Sequence, residues 1–275
     1  MSSFAVSQVD WTQLLLAAVG LLVAGLVKGA TGLGYSTCAL PFLVSAVGLR
    51  SAIVIVPIPA LAANLGLLFG AGNVAEMLRR FWVFYAATVP GIFYGTKLLA
   101  WIDQKLATQV LGVITVAYTL YGAIRPNVTL PSRWERPLQL PAGLLNGLLT
   151  GLTGSQVMPL LPYMLSLKLD PDRFVQAVNI AVVTASAILG LALLVSGLMT
   201  WQLAMLSALG VLPAFVGVVL GNHLRPRLPT RAFRAAVLVM IFLIGVSFMM
   251  DHSFFGAPAT GNPADNVNSP FIRDK

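Results

Sequence analysis

The stretch from Thr12 to Gly48 contains a single charged side chain, Lys28. A continuous helix of this length would measure about 55 Å, whereas the hydrocarbon core of a bilayer is only about 30 Å thick. The stretch is therefore apolar enough to lie in a membrane but too long to cross it once as an upright helix. It must tilt strongly or break, and its glycine-rich centre, GATGLG at 29–34, favours a break at that point.

The whole chain has this apolar character. Hydrophobic residues make up 57% of the 275 residues and charged residues only 9%, against roughly 25% charged residues in soluble domains. The apolar segments lie at 12–48, 51–70, 81–99, 106–124, 139–167, 174–197, 201–222 and 232–250. We therefore predict an all-α, multi-pass membrane protein with about eight helical segments. Its expected location is a cell membrane, most simply the bacterial cytoplasmic membrane.

The charged residues argue against several functions. The net charge is +8, but the basic residues lie mostly in short loops, which indicates orientation in the membrane rather than nucleic-acid binding. All nine acidic residues lie at segment ends or in loops, although a cation pathway normally needs a carboxylate within the membrane. The single cysteine, Cys38, and two histidines outside the apolar segments supply neither a metal cluster nor a nucleophile with its base. The sequence thus predicts no cofactor, no metal and no enzymatic activity.

The fifth segment, 139–167, resembles the first in its length and in its glycine-rich centre, GLTGSQ at 151–156. As one helix it would measure about 44 Å, so it too must tilt or break. Placing Gly25 on Gly147 brings the two centres into register and repeats the pattern G-x3-G-x-T-G. The pairs that follow are Gly29 with Gly151, Thr31 with Thr153 and Gly32 with Gly154.

A second block repeats at nearly the same offset, because GIFYGTKL at 91–98 matches GVVLGNHL at 217–224. One such match would carry little weight, since close helix packing produces small-xxx-small motifs widely in membranes. Two blocks in the same order predict an internal duplication, the usual architecture of a secondary transporter. We expect two four-segment halves, at 1–124 and 139–252. A polar linker at 125–138 joins them, and a mobile tail follows at 253–275.

These motifs resemble those of the sulfite exporter TauE/SafE family, also called the toluene sulfonate uptake permease group. The resemblance rests on the duplicated G-x3-G-x-T-G, on LKLDPDRFVQAVNI at 167–180 and on the late G-x3-G-[TN]-[KH]-L, and it covers the chain from about residue 12 to 250. It implies a cytoplasmic-membrane carrier of a small sulfur-containing anion or organosulfonate, such as sulfite. Many members have a denser glycine run after the TG, whereas here the halves read GLGYS and GSQVMP, which indicates a pocket for a different anion.

Lys28 is the leading candidate for substrate binding. An ammonium group at the bilayer centre costs roughly 2.5–3.5 kcal/mol, so it must extend to the headgroups or meet water, a partner or a ligand. Broken helices inside a membrane are tolerated where they line a cavity, and helix N-termini favour anions. We expect the two breaks to meet near mid-membrane and form one anion site. Its predicted residues are Lys28, Gly29, Thr31, Gly32, Gly34, Gly151, Thr153, Gly154, Ser155 and Gln156.

Other polar residues allow two interpretations. The threonines and the serine of the breaks either donate hydrogen bonds to the anion or cap the half-helices. The secondary candidates for binding are Lys97, His223, Asn64, Asn146 and Asn179. For Lys97 and His223, which lie near segment ends, extension to the membrane surface is the favoured interpretation. For the three asparagines it is hydrogen bonding between helices.

The sequence predicts a carrier that uses alternating access, and two alternatives remain open: a passive anion channel and a non-transporting membrane subunit of a larger complex. The expected partners are a small anion and the lipid bilayer, and a homo-oligomer is possible. The substrate, the direction of transport and the coupling ion, a proton or sodium, stay open. The basic residues are distributed more one-sidedly if the first and fifth segments are re-entrant hairpins, which predicts an external N-terminus and a cytoplasmic linker.

Overall fold

The structure is a computed structural model that describes residues 11–32, 34–70, 73–124, 129–224 and 230–250. Within those ranges the chain forms helices joined by short turns, without a strand. The helices are α1 (Trp11–Thr31), α2 (Tyr35–Val47), α3 (Leu49–Ile55), α4 (Pro57–Gly70), α5 (Val74–Trp101), α6 (Gln104–Ile124), α7 (Ser132–Thr153), α8 (Leu160–Ser166), α9 (Pro171–Val195), α10 (Trp201–Leu209), α11 (Val211–Leu224) and α12 (Thr230–Met249). The prediction of an all-helical chain is confirmed.

Three helical stretches are long and apolar enough to cross a membrane: α1, α9 and the stretch 201–224 formed by α10 and α11. The helix α2 and the stretch 49–65 are apolar but shorter. Large apolar side chains such as Trp201 and Phe215 are exposed on α10 and α11, as expected for a surface that faces lipid. The count of eight segments and the division into two halves stay predictions, and the predicted tail at 253–275 lies outside the described residues.

The first segment breaks at the predicted glycines, and the chain folds back on itself. Between α1 and α2, Gly32 and Gly34 have positive φ angles of 81° and 85°, which glycine adopts without steric cost. A Cβ atom placed on Gly20 would lie 2.9 Å from Cγ of Phe42, although these residues would be about 33 Å apart in one continuous helix. The helices α1 and α2 therefore form an antiparallel hairpin.

The fifth segment also breaks and folds back. After α7, Gly154 has a φ angle of 76°, and the chain stays non-helical until α8. The hydroxyl of Tyr163 in α8 donates a 2.8 Å hydrogen bond to the backbone oxygen of Glu135, near the start of α7. The backbone oxygen of Ser166 accepts a 2.9 Å bond from the N–H of Leu130. The end of this second hairpin thus lies beside its beginning.

The arms of the two hairpins are unequal in length. The first arms, α1 and α7, have 21 and 22 residues, or about 32 Å, which is close to the thickness of a bilayer core. The second arms, α2 and α8, have only 13 and 7 residues. The helix α7 also begins at Ser132, inside the stretch 125–138 that the sequence predicts as a linker.

The glycine blocks of the sequence form two close helix crossings. In each crossing, a Cβ atom on one glycine would lie about 3.0 Å from the Cα atom of its partner and would overlap the opposite backbone. The contacting pairs are Gly25–Gly217 and Gly29–Gly221 between α1 and α11, and Gly147–Gly91 and Gly151–Gly95 between α7 and α5. These are the most extensive helix pairings of the described chain, followed by α6 with α12. A first helix of one predicted half therefore packs on a late helix of the other.

Candidate functional site

Both breaks open onto one cavity. Gly34, Tyr35 and Ser36 line it from the first break, and Gln156 and Val157 line it from the second. Lys28 and Asn64 complete its polar side, and Leu161, Val178 and Val182 form an apolar side. The space among these residues, counted together with the open solvent that it joins, is about 340 Å³. Among the described residues, its lining contains one cation and no carboxylate.

Lys28 is held at this cavity by two amide groups. Its side chain is 3% exposed, and among the buried residues that the structure describes it is the one with a charged side chain. Its Nζ donates to Oδ1 of Asn64 on α4 at 2.7 Å and to Oδ1 of Asn179 on α9 at 3.1 Å. The Nδ2 of Asn64 donates in turn to the backbone oxygen of Ala60 at 2.6 Å, which fixes the orientation of that amide. An ammonium group has three N–H donors, so one remains for a ligand.

The first break places the start of α2 at the cavity. The first helical bond of α2 runs from the N–H of Cys38 to the oxygen of Gly34 at 3.1 Å, so the N–H groups of its first turn have no acceptor within the helix. These groups carry the positive end of the helix dipole. The hydroxyl of Tyr35, a buried residue of this turn, also has no hydrogen-bond partner among the described residues. Tyr35 and Ser36 of this turn line the cavity together with Lys28, so the start of α2 lies at the same cavity as the ammonium group.

The second break contributes a side chain that joins both breaks to α9. Ser36 donates its hydroxyl proton to Oε1 of Gln156 at 3.2 Å. The Nε2 of Gln156 donates to the hydroxyl oxygen of Ser186 on α9 at 3.0 Å. Because all three side chains are buried, this chain of hydrogen bonds fixes the distance between the two breaks.

The two predicted threonines bond to their own helices. Thr31 donates to the backbone oxygen of Val27 at 2.8 Å, and Thr153 donates to that of Leu149 at 2.7 Å. The hydroxyl of Thr153 also accepts a 3.3 Å bond from the N–H of Ser155. Neither threonine lines the cavity.

The predicted site residues therefore divide into three groups. Lys28, Gly34 and Gln156 line the cavity. Gly29 and Gly151 lie in the helix crossings. Thr31, Gly32, Thr153, Gly154 and Ser155 shape the two turns beside the cavity. The structure brings the two breaks together, and the role of each residue in binding a substrate stays a prediction.

The secondary candidates differ in whether they lie at the cavity. Asn64 and Asn179 are the acceptors for Lys28. Lys97 and His223 are exposed near the ends of α5 and α11 and do not line the cavity. Asn146 is buried in α7 away from the cavity, and neither polar atom of its amide has a hydrogen-bond partner within the described chain.

Tyr35, Ser36 and Ser186 are site residues that the sequence did not reveal. Tyr35 and Ser36 directly follow Gly34, so the position of the break was a signal that the first turn of the next helix would line the same cavity. No comparable signal exists for Ser186, which lies within the apolar segment of α9 and reaches the site through Gln156.

A sequence model of the family described as sulfite exporter TauE/SafE matches residues 14–248. The chain belongs to the TauE/SafE family. This confirms the resemblance drawn from the glycine motifs, and the match spans both hairpins and the cavity between them. The family is one of membrane transporters for sulfur anions, so the chain is a multi-pass membrane protein of a transporter family with a small anionic substrate. Comparisons with curated proteins and with solved structures found no match.

Proposed function

We propose that this chain is a secondary transporter that carries a small sulfur-containing or organic anion, such as sulfite or an organosulfonate, by alternating access. The observation that carries this proposal is the cavity between the two breaks, which in the described part of the chain is lined by one buried cation and by no carboxylate. A buried ammonium without a counter-ion is costly. A bound anion offsets that cost and can accept hydrogen bonds from Lys28 and from the start of α2.

The residue positions also support two structurally equivalent halves. The alignment that places Gly25 on Gly147 also places Gly34 on Gln156 and Tyr35 on Val157, and the residues of these last two pairs all line the cavity. The glycine crossings are reciprocal in the same sense, since α1 meets α11 and α7 meets α5. Two equivalent elements around one site are typical of carriers that use alternating access.

Transport by the purified chain tests the proposal. Proteoliposomes should take up radiolabelled sulfite or short-chain sulfonates faster than protein-free vesicles do, and unlabelled substrate should compete. If no anion on a panel of sulfite, sulfoacetate, taurine and aromatic sulfonates is taken up, the chain is better described as a subunit of a larger complex.

Counterflow separates a carrier from a channel. Vesicles loaded with unlabelled anion should transiently accumulate labelled anion above its external concentration, because a carrier exchanges one bound anion for another. A channel equilibrates the label without such an overshoot. Uptake without counterflow would therefore favour the passive channel.

The proposal includes an orientation in the membrane. Together with the distribution of basic residues, the two hairpins favour an external N-terminus and a cytoplasmic stretch around Arg133. A cysteine introduced at position 133, in a variant that lacks Cys38, should react with an impermeant thiol reagent only from the cytoplasmic side. Reaction from the outside alone would reverse this orientation.

A further inference from the structure

We propose that Lys28 couples transport to protons: it takes up one proton together with each anion and returns through the membrane as a neutral amine. Transport is then an electroneutral symport of an anion and a proton. This inference rests on the proposed function and names its coupling ion.

The hydrogen bonds of Lys28 suit two protonation states of its nitrogen. A neutral amine has two N–H donors and one lone pair, and the structure supplies two acceptors, Oδ1 of Asn64 at 2.7 Å and Oδ1 of Asn179 at 3.1 Å. Both donors of the neutral state are therefore bonded when no anion is bound. Protonation adds a third N–H donor on a side chain that lines the cavity, where the proposed anion would accept it. The donor and the charge needed for the anion thus appear in the same step.

No described group at the cavity balances the charge of a protonated Lys28, because its lining includes no carboxylate. Since desolvating an unpaired ion is unfavourable, the ammonium state requires the anion and the empty site favours the amine. The other ionisable side chains described on the helices around Lys28 are Tyr35 at the cavity, Cys38 buried in α2, Tyr163 buried in α8, Asp172 and Arg173 near the start of α9, and His223 exposed at the end of α11.

The transport cycle balances in charge and in protons. On the loading side, a proton from water adds to the lone pair of Nζ as the anion binds, so the loaded site gains no net charge. On the other side the anion leaves and the third N–H returns its proton to water, which leaves the neutral amine bonded to both asparagines. Sodium is left out of this cycle because no described residue of the cavity lining supplies a carboxylate to bind it.

The test drives uptake by one gradient at a time in proteoliposomes that contain the full chain. The probes are methanesulfonate, the anion of a strong acid, which cannot itself carry a proton at neutral pH, and sulfite in a buffer acid enough to make it a monoanion. Uptake should rise when the outside is made acidic with the membrane potential clamped at zero. It should not respond to a potassium–valinomycin potential without a pH difference. Uptake that follows the potential, or a sodium gradient, and ignores the pH difference overturns the coupling and leaves the proposed function standing. Failure to transport either probe counts against the proposed function itself.

Variants of Lys28 sharpen the test. The guanidinium of Lys28→Arg stays charged, so this variant should retain exchange of one anion for another but lose net uptake driven by a pH difference. The return of the carrier without a bound anion should slow by about 100-fold or more. The reason is that the cost of desolvating an unpaired ion is several times the energy that gives a tenfold change in rate. Lys97→Met removes an exposed lysine from α5 and should change neither readout. Full proton-driven uptake by Lys28→Arg would contradict the proposal, and if that variant does not fold, the wild-type gradients still decide the question.

Discussion

The two breaks share a backbone design but differ in chemistry. Gly32 and Gly154 have similar φ angles of 81° and 76°, and each donates a 2.7 Å backbone hydrogen bond to the residue four positions earlier. That earlier residue is Lys28 in the first break and Thr150 in the second. Lys28 lines the cavity, whereas the hydroxyl of Thr150 donates to the backbone oxygen of Ser155 at 3.0 Å. The same position of the turn thus carries a basic side chain at the cavity in the first break. In the second break it carries a hydroxyl group that stabilises the turn.

The chain also leaves the two breaks differently. After Gly34 a helix begins at once, so the first turn of α2, which has N–H groups without an acceptor in the helix, lines the cavity through Tyr35 and Ser36. After Gly154 the chain remains non-helical up to Pro159, and Gln156 uses this freedom to contact both Ser36 and Ser186. The two breaks thus share a backbone conformation but differ in single side chains: the first places the buried Lys28 at the cavity, and the second places Gln156 between Ser36 and Ser186. Anion binding by the first break is our proposal.

The largest expected effect comes from the helix crossings that position both breaks. Gly29→Val and Gly95→Val should each destabilise the protein by about 3 kcal/mol or more, the upper range for overpacking, because the new side chain would overlap the backbone of α11 or α7. The measurement is the yield of monodisperse protein in detergent and its melting temperature. Gly190→Val is the matched control, since a Cβ atom there has no neighbour within 4 Å. If Gly29→Val leaves the protein stable and Gly95→Val does not, the two helix crossings contribute unequally to stability.

The next largest effect is expected on anion affinity. It should distinguish Lys28 from Thr150, which occupies the matching position in the second break. Lys28→Met should weaken anion binding by about 1.5–3 kcal/mol, the range for hydrogen bonds to charged groups, or roughly 10- to 150-fold in Kd. Thr150→Val should leave Kd unchanged and reduce stability by about 1 kcal/mol through the loss of one hydrogen bond. Calorimetric titration with sulfite and methanesulfonate measures Kd, and thermal unfolding measures stability. Unchanged affinity in Lys28→Met would move the site away from the first break.

The breaks and their register were predictable from the sequence, because a helix too long for the bilayer breaks most easily where glycines cluster. The helix pairing was not predictable in this way. The sequence matches like with like, Gly25 with Gly147 and Gly91 with Gly217, whereas the structure packs Gly25 on Gly217 and Gly147 on Gly91. Two stretches that match in sequence have similar surfaces. Each packs on a different helix with a complementary surface, and not on the stretch that it matches.

The site was predictable only in part, for a similar reason. The position of Lys28 in an apolar run identified it as unusual. Its acceptors Asn64 and Asn179 lie in distant segments, and only the packing of α4 against α9 brings them to the same nitrogen. For Thr31 and Thr153 the sequence left ligand binding and helix capping open. In the structure both hydroxyls donate to a backbone oxygen of their own helix, as threonines in helices often do, and a role in binding stays a prediction.

A smaller effect is expected where the first break differs from the second by a hydroxyl group, at Tyr35 and its equivalent Val157. Tyr35→Phe removes a buried hydroxyl that has no partner among the described residues, so the melting temperature should stay the same or rise slightly. If that hydroxyl donates to the bound anion, Kd should rise about tenfold, the lower end for a hydrogen bond to a charged group. Opposite changes in stability and affinity would identify a binding role. Unchanged affinity would assign Tyr35 to packing alone.

The smallest expected effect compares the turns themselves. Gly32→Ala and Gly154→Ala both place an L-residue at positive φ, which costs about 1–2 kcal/mol. A Cβ atom on Gly32 meets nothing within 4 Å, but on Gly154 it would lie 3.1 Å from Cδ2 of Leu40 and 3.3 Å from Cγ1 of Ile53. Because Leu40 and Ile53 are fully buried and can yield only slightly, Gly154→Ala should be less stable than Gly32→Ala by up to about 1 kcal/mol. Thermal unfolding of the two purified variants measures this difference. Equal or reversed stabilities would mean that the second turn has room to relax, and that the two breaks are more alike in packing than in chemistry.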